Sequence, residues 1–440
     1  MIKTGSAREV ITPALGIPLV GYFNPRPNKG VLDNLYVKTL LFQKGKKATG
    51  IISFDLCFVS EEMLEGIRKR LIKKGMKFAK DIIMCATHTH TGPYVCSFFG
   101  AERDEKYCSL LIDKAVLSVE EAYKNLHDSE ISFGSVKSNP FAYNRRYYMK
   151  GGRVVTNPGK LNPDIVKPEG PVDNEIGFIT IKQDGRITSV IANIINHTDT
   201  VGGDLVSGDW PSMMEKEIQQ DLGYEANVIT LIGCSGNINH LDVSTGRNQS
   251  SYEEAKRIGK GYARIILDNL KKAEKLSEDD FKVSVLKTAV KNRKIFKGEI
   301  EKAKEIVKNF KFDVDKDLTS EDLAKGHGSV TYFFANQLLE FNKKSAGKTR
   351  NFDLTAIKFG KKLALTTLPC EAFTEIGMEI KKHSSFAKTF VISLAQGECG
   401  YVPMKECFER GGYEILPIEG GGSREDTCEL LVKNTLKILE

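Results

Sequence analysis

Two histidines that stand two residues apart are the first feature of this sequence that could do chemistry. His88 and His90 lie in the segment Thr-His-Thr-His-Thr-Gly-Pro at 87–93, directly after an apolar, β-branched run at 81–87 that predicts a buried strand. In an extended chain, residues two apart point to the same face, so both imidazoles would converge on one place. The pair alone fits either a metal site or loop histidines that are hydrogen-bonded to the backbone.

Three further predicted strands end in a polar side chain. His197 closes the apolar run 187–197, Glu371 follows the run 362–369, and Tyr401 follows the run 389–396. A carboxylate at the start of a helix and a tyrosine beside glycines also have plain structural explanations. Ligands of open α/β sheets, however, bind outside the carboxyl ends of strands. Two histidines, a carboxylate and an oxygen donor together suit Zn²⁺ at an open, catalytic site. Water bound to zinc loses a proton more easily, and the resulting hydroxide can attack a carbonyl.

Two other polar segments are candidate parts of a site. The segment Cys-Ser-Gly-Asn-Ile-Asn-His at 234–240 follows the predicted strand 227–233 and is small and polar, as is typical of a tight turn or of backbone that approaches a ligand. The segment Asn-Arg-Arg-Tyr-Tyr at 144–148 fits a solvated basic turn. A fixed guanidinium is also the usual partner of a carboxylate or an oxyanion.

The elements that would position these residues indicate an α/β protein. Strands are predicted at 37–43, 48–55, 81–87, 177–183, 187–197, 227–233, 362–369 and 389–396. Helices are predicted at 60–75, 106–126, 211–222, 252–275, 372–382 and 424–439. Two strands in succession imply some antiparallel pairing, so we expect a mixed β-sheet core with flanking helices, within a single domain that spans 1–440.

Two segments depart from this alternation. Lysine and glutamate dominate at 276–348, where two amphipathic stretches predict an inserted helical hairpin with a solvated charged face. The stretch 150–173 holds four prolines and four glycines, which predicts an irregular loop and a candidate wall of the active site.

Composition excludes several classes of protein. The 440 residues carry 64 Lys and Arg against 57 Asp and Glu, and the lysines are dispersed, so a nucleic-acid partner is not expected. We find no run of membrane-spanning length, and the N-terminal residues do not have the pattern of a secretory signal. The nine cysteines are odd in number and have no Cys-x-x-Cys spacing. They indicate reduced thiols, a cytoplasmic location and no thiolate zinc site.

The order and spacing of the motifs resemble the neutral ceramidases, zinc amidases that hydrolyse the N-acyl bond of ceramide. The segment at 87–93 resembles that family's Thr-His-Thr-His-Ser-Gly-Pro. Further similarities lie at Asn144-Arg145, Ser207-Gly208-Asp209, Leu368-Pro369 before Glu371, Gly400-Tyr401-Val402, Gly412-Tyr413-Glu414 and the opening ITPALGIPLVGY. The resemblance covers the catalytic domain of these enzymes. Because the chain ends in the predicted helix 424–439, we expect no C-terminal β-sandwich domain.

The resemblance implies a role for each matched residue. Zinc would be bound by His88, His197, Glu371 and Tyr401. Around the scissile carbonyl, His90 and Tyr413 would donate to the developing oxyanion, and Arg145 would hold a polar group of substrate or product. The substrate would be a lipid or another small N-acyl compound.

One departure from the family concerns the nucleophile. In the register that keeps Gly236 and Ile238 matched, Asn239 stands where the family has a serine beside the zinc; a shifted register puts Ser235 there instead. With Asn239, attack by zinc-activated water is the expected mechanism. Two alternatives to an N-acyl amidase stay open: a zinc hydrolase of another ester, amide or carbohydrate-type substrate, and a metal-binding homologue without catalysis.

Overall fold

Three mixed β-sheets form the centre of the molecule. The computed structural model describes residues 1–23, 25–97, 101–277, 280–310, 322 and 325–440. Across each sheet in turn, the strands are Ile83–Ala86, Lys47–Phe54, Tyr36–Lys44, Lys3–Val10 and His127–Asp128; Asn227–Ile232, Arg186–Ile194, Glu175–Gln183, Glu130–Lys137 and Glu274–Lys275; and Lys282–Lys291, Thr349–Phe359, Leu363–Thr367 and Lys388–Ile392. The predicted mixed α/β class is confirmed.

Each of these sheets has one parallel pair of strands at one edge. Lys47–Phe54 runs parallel to Ile83–Ala86, Arg186–Ile194 to Asn227–Ile232, and Leu363–Thr367 to Lys388–Ile392. The other neighbouring strands of the three sheets pair antiparallel. The carboxyl ends of parallel strands lie at the same edge, so the loops that follow these pairs are brought together in space.

Five of the described helices pack against the sheets: Glu105–Lys124, Asp209–Leu222, Tyr252–Asn269, Thr374–His383 and Thr427–Leu439. The other described helices are Glu61–Lys73, Lys297–Asn309, Gly328–Lys344 and Cys407–Arg410, with 3-10 turns at Lys77–Asp81, Leu270–Lys272 and Tyr413–Ile415. The side chains of Ser60, Asp104 and Ser251 cap three of the helix starts. Within the described ranges, no helix has both the length and the apolar character needed to cross a membrane.

A large apolar cluster lies where the three sheets face one another. Phe42 of the first sheet, Ile191 of the second and Phe359 of the third belong to one buried cluster. Backbone hydrogen bonds also join the sheets near their parallel edges: Ala86 N–H donates to Leu394 O, and Ser393 N–H donates to Ile232 O. The parallel edges of the three sheets are therefore held against one another.

The helical insertion is shorter than the predicted 276–348. Lys282–Lys291 is a strand that pairs along its whole length with Thr349–Phe359. Burial alternates along its second half, where Thr288 and Val290 are buried and Lys287, Ala289 and Lys291 are exposed, but apolar and polar residues do not alternate, so the sequence carries no period of two. The helices Lys297–Asn309 and Gly328–Lys344 connect these two strands; residues 311–321, 323 and 324 of the predicted hairpin loop lie outside the described residues.

The stretch 150–173 is not wholly irregular as predicted. Val154–Thr156 and Ile165–Pro168 both pair antiparallel with Arg146–Met149 to form a small sheet. The prolines of the stretch are compatible with this sheet because short edge strands tolerate a missing N–H donor.

Candidate metal centre

Three side chains that follow the parallel strands bring their ligand atoms to one point. The distance from His88 Nε2 to His197 Nε2 is 2.9 Å, and Glu371 Oε2 lies 3.3 Å from the first and 3.6 Å from the second. His88 follows Ile83–Ala86, His197 follows Arg186–Ile194, and Glu371 follows Leu363–Thr367. Each of the three sheets thus contributes one group, as the strand-end argument predicts.

Hydrogen bonds to backbone carbonyls orient both imidazoles for metal binding. His88 Nδ1 lies 2.7 Å from Cys57 O, and His197 Nδ1 lies 3.2 Å from Ser235 O. A carbonyl only accepts, so each Nδ1 carries the proton and donates it. The Nε2 atom of each ring is then the one that can ligate, which is the arrangement that orients metal-binding histidines in proteins.

The third group has a buried oxygen that lacks a well-aligned hydrogen-bond donor in the described part of the chain. Among the described residues, none donates a well-aligned hydrogen bond to Glu371 Oε2, although this atom is inaccessible to solvent. A buried carboxylate oxygen without an aligned donor is stabilised by positive charge beside it, which a protonated His88 or a bound metal ion can supply. Nitrogen and carboxylate donors in this number are those that Zn²⁺ takes at a catalytic site, so the residues present fit the predicted metal.

The histidine pair converges for a different reason from the one predicted. The strand ends at Ala86, and His88 has a backbone φ of +67°, in the left-handed region rather than in extended chain. His88 N–H donates to Leu56 O at 2.8 Å, and His90 N–H donates to Thr198 O at 3.2 Å. These bonds hold the turn, and His90 Nε2 comes within 3.4 Å of His88 Nε2.

A pair of tyrosines and a buried arginine lie beside the cluster. Tyr401 is paired with Glu371 in a short parallel ladder, and its Oη lies 3.2 Å from Tyr413 Oη. The guanidinium carbon of Arg145 lies 5.2 Å from the centre of each ring. Arg145 is held by Glu414, at 3.1 Å from Nε, and by the Gly236 carbonyl, at 2.6 Å from Nη2.

The charges of the cluster follow from burial and from these neighbours. Burial raises the pKa of Glu371, but His88, His197 and Arg145 outweigh it and bring the pKa to about 2, so the group is a carboxylate at neutral pH. Burial and the charge of His88 lower the pKa of His90 to about 4 and that of His197 well below its usual value. Burial raises the pKa values of Tyr401 and Tyr413 well above 10. Both side chains therefore keep their protons at neutral pH when no metal ion is bound.

Asn239, the residue expected at the nucleophile position, is committed to other partners. Its Nδ2 donates to Asn157 Oδ1 at 2.8 Å, and its Oδ1 accepts from Leu241 N–H at 3.0 Å. Ser235 supplies the carbonyl that holds His197. Of the residues in the predicted wall 150–173, Asn157 lines the cavity described next.

The cluster opens into a cavity of about 540 Å³. Phe333 and Phe334, on the helix Gly328–Lys344, line it together with Phe23. Ring centres lie 5.0 Å apart for Phe23 and Phe333, 5.9 Å for Phe23 and Phe334, and 6.3 Å for Phe334 and Tyr413. The insertion therefore supplies an aromatic wall that reaches the tyrosine pair.

Two residues of the cavity lie in polar segments at strand ends, but the sequence predicted no role for them. Asp199 and His240 both line it, and Asp199 Oδ1 lies 3.0 Å from His240 Nδ1. The available signal was their position, because each lies within a few residues of a strand end already singled out.

Two solved structures share the fold of this chain. The crystal structure of neutral ceramidase from Pseudomonas aeruginosa matches with a TM-score of 0.73 and 15% sequence identity, over 100% of this chain and 74% of that chain. A ceramidase complexed with C2 matches with the same score, identity and coverage. No protein-family profile and no curated protein matches the sequence. The fold that the motif resemblance implies is confirmed.

Proposed function

We propose that this protein is a zinc-dependent hydrolase of N-acyl amide bonds, with a ceramide-like substrate that yields an amine and a fatty acid. The observation that carries the proposal is the convergence of His88, His197 and Glu371, one from each sheet, beside two phenols in a cavity with an aromatic wall. The shared fold with neutral ceramidase supports it.

In this proposal zinc is held by His88, His197, Glu371 and Tyr401. Bound zinc supplies Lewis acidity, which polarises a carbonyl and makes water a stronger nucleophile near neutral pH. The carboxylate and the oriented Nε2 atom of His197 are ready as ligands in the metal-free chain. Burial lowers the pKa of His88, but Cys57 and Glu371 outweigh it and raise that pKa, so His88 would give up its Nε2 proton when it binds zinc. Tyr401 would join them as a phenolate, because a nearby cation lowers the pKa that burial has raised.

The neighbouring side chains would stabilise the charge that develops on the substrate oxygen. Tyr413 keeps its proton at neutral pH and can donate it in a hydrogen bond. Arg145 is fixed by Glu414 and Gly236, so its charge acts on the tyrosine pair without reorganisation during the reaction. His90, neutral because of burial, can donate one hydrogen bond or accept a proton.

The nucleophile in this proposal is water. The side chain at the family's serine position is the carboxamide of Asn239, which is not nucleophilic and already bonds Asn157 and Leu241. A direct hydrolytic step therefore fits this chain better than an acyl-enzyme.

The aromatic wall at Phe333 and Phe334 suits the apolar acyl chain of the substrate. The nine cysteines, all free, support the proposed cytoplasmic location.

The test is hydrolysis of two compounds, N-dodecanoyl sphingosine and the dodecanoyl ester of sphingosine, by protein purified without chelator. We expect fatty acid release from the amide, its loss on chelation, and its return on adding zinc. The exposed His383→Ala variant serves as a control that keeps the activity. Cleavage of the ester without cleavage of the amide, or full activity in chelator, would contradict the proposal.

A further inference from the structure

Asp199 presents a carboxylate to the cavity on the histidine side of the metal cluster. It stands two residues after His197, lines the cavity, and keeps 21% of its side chain exposed there. Its charge acts on His90, His197 and Tyr22. Glu371 is part of the metal cluster, whereas Asp199 has no role in the proposed chemistry.

His240 fixes this carboxylate and is itself a fixed cation. Its Nδ1 lies 3.0 Å from Asp199 Oδ1, and its Nε2 lies 2.8 Å from the backbone oxygen of Gln249. A carboxylate and a carbonyl both only accept, so both ring nitrogens must carry hydrogen for these contacts to be hydrogen bonds. His240 therefore has no lone pair to offer a metal or a proton, and its function is to hold Asp199.

The loop behind His240 is held by its own hydrogen bonds. The Gln249 amide pairs with the backbone of Asp242: Nε2 donates to its carbonyl at 3.0 Å, and Oε1 accepts from its N–H at 2.8 Å. The backbone carbonyl of Gln249, which accepts the hydrogen bond from His240 Nε2–H, is thereby fixed in place. Asp199 is consequently preorganised, with Oδ1 bound to His240 and its remaining surface open to the cavity.

The negative charge of Asp199 indicates which half of the substrate it contacts. Cleavage of an N-acyl bond turns the acyl half into a carboxylate, which Asp199 would repel. The amine half can carry a hydroxyl or an ammonium group, and both donate hydrogen bonds to a carboxylate. The apolar acyl chain, in turn, matches the aromatic wall at Phe333 and Phe334.

We propose that Asp199, held by His240, is a specificity-determining residue that binds a hydrogen-bond donor, a hydroxyl or an ammonium group, on the amine half of the substrate. This inference rests on the proposed function. It adds to the proposed ceramide-like substrate, an N-acyl amino alcohol, the residue that would distinguish it from N-acyl derivatives of plain alkylamines or amino acids.

The test compares two amides of equal length, N-dodecanoyl ethanolamine and N-dodecanoyl propylamine, in which a methyl group replaces the hydroxyl. We expect kcat/KM of the wild type to favour the hydroxyl compound by about tenfold to a hundredfold. In Asp199→Asn, Oδ1 still accepts from His240, but the open atom becomes an N–H₂ donor, so the hydroxyl loses its charge-assisted bond to a carboxylate and the ratio should fall severalfold. Asp204→Asn, on the same loop but paired with Lys29 at the surface, should keep the wild-type ratio.

A second comparison uses the wild type alone and does not depend on whether the variant folds. N-dodecanoyl ethylenediamine, which carries an ammonium group, should be cleaved at least as well as the ethanolamide, and N-dodecanoyl glycine should be rejected. Equal cleavage of the glycine and ethylenediamine compounds, or an unchanged hydroxyl preference in Asp199→Asn, would overturn the assignment.

Failure of the proposed function gives a different result. If the wild type cleaves none of these amides, equilibrium binding of the same compounds to the zinc-loaded protein replaces kcat/KM. A hydroxyl preference in binding that Asp199→Asn removes would support the recognition site while contradicting the hydrolase. Equal binding of the ethanolamide and the propylamide by the wild type would contradict the recognition site.

Discussion

At the residue scale, Tyr401 and Tyr413 show how position separates two identical side chains. Their hydroxyl oxygens are 3.2 Å apart, but Tyr401 is the ladder partner of Glu371, whereas Tyr413 begins the 3-10 turn Tyr413–Ile415. Arg145 lies at the same distance from both rings. In the proposed mechanism Tyr401 must lose its proton to bind zinc, and Tyr413 must keep its proton to donate a hydrogen bond.

Tyr413→Phe therefore tests the donor role. We expect kcat on the N-acyl amide to fall about a hundredfold, the usual cost of one donor to a developing oxyanion, with the zinc content unchanged. Tyr401→Phe is the matched variant and should lower zinc affinity as well. If Tyr413→Phe lost zinc and Tyr401→Phe kept it, the two assignments would have to be exchanged.

Asp209 gives the molecule a pH-dependent stability that can be measured. Its carboxylate accepts from Val201 N–H at 2.7 Å and from Trp210 N–H at 2.6 Å, but burial raises its pKa from 3.8 to about 6. The folded state therefore binds this proton more tightly than the unfolded state. The resulting stabilisation is complete below pH 4 and is lost as pH rises through 6.

Asp209→Asn removes this titration, and asparagine tolerates the backbone φ of +59° at this position. We expect the free energy of unfolding of the variant, relative to that of the wild type, to increase by about 2–3 kcal/mol between pH 4 and pH 7. Urea unfolding of the metal-free proteins at both pH values measures this difference. A difference that does not change with pH would show that Asp209 titrates alike in the folded and unfolded chains.

Single residues were predictable where chemistry alone identifies them. Two of the seven histidines in one short motif, and polar groups at strand ends, were enough to predict the cluster His88, His197 and Glu371. The left-handed backbone of His88 and the pairing of Asp199 with His240 were not predictable. Both depend on contacts between segments far apart in sequence, which no local pattern encodes.

At the element scale, the site depends on a close backbone approach at Gly236. A Cβ atom at this position would come 2.4 Å from the Glu371 carbonyl oxygen, and Gly236 N–H donates to Ala372 O at 2.8 Å. The segment after the strand Asn227–Ile232 thus packs directly on the ladder that joins Glu371 and Tyr401. Only glycine permits this contact without displacing a predicted ligand.

Gly236→Ala should therefore weaken zinc binding through backbone displacement. We expect a more than tenfold loss of zinc affinity, measured by competition with a chromogenic chelator, together with a lower Tm. Gly298→Ala is the control, since a Cβ there meets no atom within 4 Å. Wild-type zinc affinity in Gly236→Ala would mean that the Glu371 ladder can shift without consequence for the site.

Elements were predictable where apolar residues are continuous. The strands that carry the site are buried along their length, and all eight predicted strands are present. Lys282–Lys291 was not predictable as a strand, because its exposed positions include Val285 and Ala289 and its buried positions include Thr288, so apolar and polar residues do not alternate. Short elements such as Glu371–Ala372 depend on a partner strand, here Tyr401–Val402, and have no signal of their own.

At the scale of the whole molecule, the insertion and the sheets build the cavity together. The sheets supply the ligand groups at their parallel edges, and the helix Gly328–Lys344 supplies the aromatic wall. The sequence predicted the two helices but not that one of them lines the site, because that depends on the packing of Phe333 against Phe23.

The wall should govern preference for acyl chain length. Phe334→Ala is expected to lower kcat/KM about tenfold for a dodecanoyl amide and to change it little for an acetyl amide, since only the long chain loses apolar contact. Thr331→Ala, at an exposed position of the same helix, is the matched control. An equal loss for both chain lengths would mean that Phe334 supports the fold of the site rather than binding the acyl chain.

The claim on which the whole account depends is that one metal ion is bound by groups from all three sheets. The most direct test is the zinc content per chain, by mass spectrometry, of protein purified without chelator, for the wild type and for His88→Ala, His197→Ala and Glu371→Ala. We predict about one zinc per chain in the wild type and in the exposed control His383→Ala, and almost none in the three variants. Full zinc retention in those variants, or a wild type that takes up no zinc when it is supplied, would contradict the account.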